Sequence, residues 1–424
     1  MRYLFFLLFA GALSMANSVV VTLENPTKTP LIFEEAKLLP ITSMQLVFSQ
    51  SGSIANGDKA GLARVVAKLL QEGTKKKGSA KFALELESRA IQLSSHAGSE
   101  TFVIELSCLK EEFDVGVAAI IELLQDPNFT QKELDKIKKT LIGSLMRDES
   151  NFDTVASREL KKVLFDKTPL APYATVKSIE SITLDDVKKF FKRQLIVEHL
   201  IGVVGGDIEV AHAKDALKRI AKTLPNGKAQ PLTRYEVRKS PHTKTLKKPT
   251  QQAYIYFGSP YDVKSSDEDA YISRVAMFIL GAGGFGTRLM EEIRVKRGLA
   301  YSAYARASIN NTHSYMSGHL QTKLESADEA LAIVKSELAR FVKEGVTQEE
   351  LDSARRFLLG SEPLRTETLS QRLSRTFDTY YKGLPLDANA RELAAIEALT
   401  LDKLNAFIQK HSEILDLSVV SVVK

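Results

Sequence analysis

One interval runs through this chain. Thr130-Gln131-Lys132-Glu133-Leu134-Asp135 returns as Thr347-Gln348-Glu349-Glu350-Leu351-Asp352, 217 residues later. Leu141, Gly143 and Ser144 return at the same interval as Leu358, Gly360 and Ser361. So do Ile179-Glu180, Thr183-Leu184-Asp185 and Phe190, as Ile396-Glu397, Thr400-Leu401-Asp402 and Phe407. A threonine three residues before an acid is common helix-start chemistry, which would explain one block. Separate blocks held at one offset require a duplication. The 424 residues therefore divide into two homologous α/β halves, 22–225 and 251–424. The stretch 226–250 between them holds Pro231, Pro241 and Pro249 with scattered lysines and few apolar residues, and reads as a linker crossing the surface.

Within the first half, Ser18 to Leu23 and Gln45 to Gln50 read as strands, and Gln92–Ser95 with Thr101–Leu109 as a hairpin around Gly98. Helical spacing covers Ala80–Ala90, Phe113–Leu124, Lys132–Met146, Thr154–Phe165 and Leu184–Gln194, and Leu200–Val204 is a strand running into Gly205-Gly206. Residues 1–16 read as a secretory signal: Arg2, an apolar run from Leu4 to Leu13, and Ser14-Met15-Ala16 at the cleavage positions. A run of ten residues is too short to span a bilayer. An uncleaved anchor is the alternative to removal before Asn17, and no later segment is long and apolar enough to span. The expected location is periplasmic or secreted, in a bacterium. Cys108 is the only cysteine, so no intrachain disulfide forms, and it reads as a small buried hydrophobe. A net charge of +6 is mild for the length, and no basic stretch is interleaved with aromatics, which argues against nucleic acid.

Gly61 to Thr74 holds Leu62, Val65, Val66, Leu69 and Leu70 at the spacing of one buried helix face, with Gly73-Thr74 as a stop. The frame resembles the metal-binding helix of the pitrilysin/insulinase family of zinc peptidases, the inverzincins, which read roughly G-x-A-H-x-x-E-H-x-x-x-x-G-T. Gly61, Ala63, Gly73 and Thr74 are in register, but Arg64, Ala67 and Lys68 stand where the family has His, Glu and His. The family's third ligand, a glutamate, falls near Leu145. Cations and an alkyl group offer a zinc ion no lone pair, and the general base is gone with them. The remaining histidines do not replace the set. No pair is spaced i, i+4, and His313 and His319 read as ordinary strand residues.

A second stretch, Leu280 to Ala303, places a glycine-rich turn (Gly281, Gly283, Gly284, Gly286) before a helix from Thr287 to about Arg297, closed by Gly298 and followed by a strand. It lacks the lysine of a phosphate loop. It closely resembles the second-half segment of the same family, L-G-x-G-x-x-S/T-R-L … R-x-x-x-G-L-x-Y. The resemblance implies that Arg294 holds substrate backbone and that Tyr301 donates a hydrogen bond to the oxyanion on the scissile carbonyl. It also implies substrate contacts at Gly283 and Gly284 and along the edge strand Leu93–Thr101, at Ser94 and Ser95. The implied fold is α+β: two α/β sandwich halves, each a mainly antiparallel sheet with helices on one face, together half of a clamshell. The implied function is that of the non-catalytic subunit of a two-chain metallopeptidase, with no cofactor in this chain and zinc in a homologous partner that hydrolyses unfolded peptide. A peptide-binding or structural scaffold without a catalytic partner is the rival, and an autonomous zinc peptidase with unusual ligands is the third.

Overall fold

The computed structural model describes residues 18–24 and 28–424. The expected secretory signal, residues 1–16, lies outside the described residues. The first half builds a six-stranded sheet from β1 (Val19–Glu24), β2 (Lys28–Glu35), β3 (Ile41–Ser49), β4 (Gln92–Ala97), β5 (Thr101–Leu109) and β6 (Leu200–Gly206), in the order β1-β2-β6-β3-β5-β4. The second half builds a five-stranded sheet from β7 (Thr243–Lys247), β8 (Gln252–Pro260), β9 (Ala300–Ile309), β10 (Ser314–Lys323) and β11 (Ser418–Val423), in the order β7-β11-β8-β10-β9. The two orders correspond strand for strand once β1 is set aside. Each sheet contains one parallel pair, β2 with β6 and β7 with β11, and is otherwise antiparallel.

The repeated sequence blocks are helix starts in equivalent places. Helix Gln131–Asp148 is capped by Thr130, and helix Gln348–Gly360 by Thr347, whose hydroxyl accepts from the Glu350 amide while the Glu350 carboxylate accepts from the Thr347 amide. Thr183 and Thr400 cap the next matching pair, Leu184–Gln194 and Leu401–Lys410. Each sheet buries one face under its own half's helices. Phe48, Phe102 and Leu106 meet Val66, Leu69 and Leu134 in the first core, and Phe257, Met316 and Leu320 meet Leu338 and Phe341 in the second. Cys108 belongs to the first core, where burial pushes its thiol up to about 11.

The opposite face of each sheet is covered by a helix from the other half. Helix Phe152–Phe165 lies on β8 and β11, burying Leu160, Leu164 and Phe165 against Val420 and Val422. Its counterpart 217 residues on, helix Leu369–Tyr381, lies on β2 and β6, with Leu373 packed against Ile32, Val47 and Val203. Glycines let both helices approach. A Cβ on Gly205 would come within 2.7 Å of Leu373, and one on Gly258 within 2.9 Å of Leu164. An ion pair to a buried carboxylate fastens the exchange: Arg372 Nε, itself partly exposed, donates to Glu34 Oε1 at 2.6 Å, and Ser18 Oγ donates to the other carboxylate oxygen at 2.6 Å. The segment 226–250 is correspondingly more than a surface crossing. Val237 is buried, the Arg238 amide donates to the Leu164 carbonyl, and Thr243–Lys247 is strand β7.

Candidate functional site

Helix Leu62–Leu70 presents the degenerate metal frame. Its apolar face is fully buried, Arg64 and Lys68 are exposed, and Ala67 is buried against β4. Gly61 enters the helix at φ +97°, and a Cβ there would meet Ile179 at 2.7 Å, so the glycine is demanded twice over. Leu145, on helix Gln131–Asp148, is a core residue and lines one cavity of about 330 Å³ together with Arg64. The structure thus brings Arg64 and Leu145 together, as the frame requires, but with a guanidinium and an isobutyl group. Lys68 Nζ reaches Gln71 Oε1 at 3.4 Å and points along the helix surface. Among the described residues no three His, Cys, Asp or Glu side chains converge as a ligand set.

β4 is the edge of its sheet, adjacent to this helix. The two serines predicted on it part company. Ser94 is exposed, and both serines border a cavity of about 620 Å³. Ser95 is buried, its hydroxyl donates to the Ala67 carbonyl at 2.7 Å, and its carbonyl accepts from Gln71 Nε2 at 2.6 Å. Alternation along a strand sends neighbours to opposite faces, so the Ser95 hydroxyl pins strand to helix.

The second stretch is organised by its glycines. Gly284 and Gly286 have φ of +75° and +84°, conformations that L side chains seldom adopt, while a Cβ on Gly283 would strike the Phe278 ring at 2.8 Å. The turn holds Phe285 outward between them. The following helix is shorter than predicted: Arg288–Met290 is α-helical and Glu291–Val295 widens to a π-helical turn, a form frequent at functional sites. Arg294 lies on that turn. Its guanidinium is 4.6 Å from the Phe285 ring centroid and 4.4 Å from that of Tyr301, so it is held between two aromatic rings with no carboxylate partner among the described residues. Glu292 anchors the turn from the inner side, accepting from Lys296 and Arg297 at 2.6 Å each, and these two cations hold its carboxyl down at about 2.

Tyr301 sits at a bulge. β9 pairs Ala303 with Leu320 and Ala300 with Thr322, so three steps on β9 oppose two on β10. A bulge re-aims a side chain, and the Tyr301 ring is 81 % exposed, with its hydroxyl bonded to no described residue. β9 is the edge strand of the second sheet, the counterpart of β4 in the first. His313, just before β10, and His319 within it both lie against helix Phe152–Phe165 or its cavity. His313 is 5.0 Å from the Phe165 ring, held neutral by burial and by Lys161 and Arg234, with its pKa lowered to about 4. His319 stacks on Tyr256 at 5.1 Å.

Lys161 joins the two stretches. It lines the cavity of Arg64 and Leu145, and it also lines a second cavity of about 530 Å³ bounded by Ser302 and Tyr304 of the strand that carries Tyr301. Nothing in the sequence singles Lys161 out, because a lysine on an amphipathic helix carries no signal of what lies opposite.

Two duplicated α/β halves, a metal-frame helix without ligands on one and an arginine–tyrosine pair on the other, define a metallopeptidase-like protein of the two-half type. A family model of insulinase-type peptidases, peptidase family M16, matches residues 40–174, and one described as the peptidase M16 inactive domain matches residues 181–358. The chain is 42 % identical to a Helicobacter pylori protein named non-peptidase homolog YmxG, over 98 % of this chain and 97 % of that one. It superposes on the crystal structure of a peptidase M16 inactive domain from Pseudomonas fluorescens with a TM-score of 0.87 and 26 % identity, covering 95 % of this chain and 97 % of the other. It also matches the fold of a Helicobacter pylori protease with a TM-score of 0.82 and 17 % identity, over 97 % and 100 % of the two chains. The chain belongs to peptidase family M16.

Proposed function

We propose that this chain is a non-catalytic member of its family that binds unfolded peptide and completes the active site of a zinc-bearing homologous subunit. The observation that carries this reading is the contrast between the two stretches. The ligand frame holds Arg64, Ala67, Lys68 and Leu145, whereas Arg294 and Tyr301 are positioned by two rings, a bulge and a π-helical turn, with Arg294 partly and Tyr301 largely open to solvent. An exposed phenol whose hydroxyl is bonded to no described residue is suited to donate to an oxyanion presented from outside the chain. Similarity to a protein named a non-peptidase homolog supports the absence of chemistry in this chain alone. The zinc that polarises the carbonyl and activates water would be held by the partner. Export follows from Arg2 and the apolar run Leu4–Leu13, and among the described residues no helix is long and apolar enough to cross a membrane.

The test is capture of the tagged chain from its own cells. The reading expects a co-purifying family member with an intact H-x-x-E-H helix, about one zinc per pair, and hydrolysis of an unstructured peptide by the pair but by neither chain alone. Peptide cleavage by this chain alone, or zinc bound to it in stoichiometric amount, contradicts the reading.

A further inference from the structure

The cavities of about 330 and 530 Å³ that meet at Lys161 share an uncommon lining. Arg64, Arg158 and Lys161 border the first, and Lys161 and Arg306 the second, while no aspartate or glutamate lines either one. Arg158 is neutralised by Asp148 at 2.6 Å. Arg64, Lys161 and Arg306 have no carboxylate partner among the described residues; Arg306 only lies over the Tyr304 ring at 5.8 Å. Lys161 is half-buried, and burial pulls its pKa down, which marks an ammonium short of both water and counter-ion. The nearest acids face elsewhere. Asp153 accepts from the Tyr256 hydroxyl at 3.1 Å, and Glu159 from Tyr173 and Lys244. Arg306 also borders a third cavity, of about 400 Å³, but there Lys382 engages Asp378 and Arg274 engages Glu392.

An unpaired half-buried cation such as Lys161 is costly unless something anionic completes it, and the exposed Arg64 and Arg306 flank it with free charge. The framing elements say what shape that partner has. The end of edge strand β4 (Ala97, with Gly98 and Ser99 beyond it) borders the first cavity, and edge strand β9 (Ser302, Tyr304) the second, so each cavity meets the edge of a sheet; Gly98 and Ser99 themselves are occupied, the Gly98 amide donating to Thr101 and the two carbonyls accepting from the Ser53 and Ile54 amides. Edge strands receive extended peptide as an added strand. We propose that the two cavities joined at Lys161 are one binding site for acidic peptide segments, whose aspartate or glutamate carboxylates are taken by Arg64, Lys161 and Arg306. The loss of the metal frame is part of this site, since Arg64 stands where a ligand would stand. The inference rests on the peptide-binding reading above and names the class of peptide.

The experiment measures binding of three labelled unstructured peptides of equal length, Glu/Ser, Gln/Ser and Lys/Ser, and of a single-stranded oligonucleotide, to the full-length chain. The acidic peptide should bind most tightly, and increasingly weakly as salt is raised. Lys161→Met should weaken it on the order of tenfold, as expected for loss of a charged hydrogen bond. Arg64→Gln and Arg306→Gln, both at exposed positions that tolerate change, should each weaken it several-fold. Lys403→Gln, an exposed residue on another face, should leave it unaltered. Equal binding of all three peptides overturns the charge assignment while leaving peptide binding in place. Tighter binding of the oligonucleotide, or indifference to Arg64→Gln and Arg306→Gln, also overturns it, and failure to bind any peptide overturns the peptide-binding reading itself.

Discussion

The Arg294 guanidinium lies 4.4 Å from the centre of the Tyr301 ring, seven residues further along the chain, with the Phe285 ring against it at 4.6 Å. The arginine and the tyrosine are thus one unit. Each cation–π contact at so exposed a site is worth about 0.5–1 kcal/mol. Phe285→Ala should therefore cost less than about 1 kcal/mol of stability, yet it should free the guanidinium. Nitrogen relaxation of the Arg294 Nε signal would show this as a fall in order parameter in Phe285→Ala, whereas an unchanged value would mean that the stack does not hold the side chain.

Glu34 and Arg372 stand 338 residues apart in sequence and pair a buried carboxylate with a partly exposed guanidinium on the exchanged helix. Glu34 is 1 % exposed, so removing its partner strands a charge. Arg372→Ala should destabilise the protein by about 3–5 kcal/mol. Exchange of Arg391, whose pairing with Asp387 is exposed, should change little. Urea denaturation of both variants distinguishes the cases, and equal midpoints would remove the pair from any role in holding the halves together.

Glu292 supplies a pH dependence with a definite sign. Lys296 and Arg297 depress its folded pKa from 4.5 to about 2, so its stabilising contribution is complete above the unfolded value. It is lost as pH falls from about 4.5 toward about 2. Glu292→Gln should flatten the stability profile in that acid window. Denaturation midpoints at about pH 6 and about pH 3 measure the difference between the two proteins; identical slopes would contradict it.

Metal content is the next expectation. Arg64, Ala67, Lys68 and Leu145 give zinc nothing to bind, so the purified, tag-free chain should contain far less than one zinc per molecule by elemental analysis. About one zinc per chain would point to an autonomous site.

Much of this architecture was legible in the sequence because it is local. The apolar face of Leu62–Leu70 and the threonine caps at 130, 183, 347 and 400 are read from residues within one or two turns of each other. β2 was missed because Pro30 interrupts its pattern; the strand tolerates it opposite Thr22 of edge strand β1. The repeat fades in the strands because the interval there differs: β3 begins at Ile41 and β8 at Gln252, 211 residues on. The crossed helices were out of reach for another reason. Leu369, Leu373, Phe377 and Tyr380 show a helix with an apolar face, but nothing in them says that the face covers the other half's sheet. At the site, the Arg294–Tyr301 spacing was visible, while the Phe285 ring, the bulge and Lys161 depend on what the fold brings opposite. On β4 the pleat turns Ser94 outward and buries the Ser95 hydroxyl, a difference that two adjacent serines do not show in sequence.

The central claim is that Tyr301 acts on a substrate held at a partner's zinc, and one measurement addresses it. The pair is assembled with either the native chain or Tyr301→Phe, pairing is confirmed by co-migration, and kcat and KM are determined on an unstructured peptide. The substitution removes one hydroxyl from an exposed ring and leaves the Arg294 stack in place. A donor aimed at the oxyanion contributes mainly in the transition state, so kcat should fall on the order of 10²-fold while KM changes little. Arg294→Ala should raise KM as well, because a backbone contact also holds bound substrate. A Tyr301→Phe pair with native kcat would contradict the account, leaving the motif a structural feature of a peptide-binding scaffold.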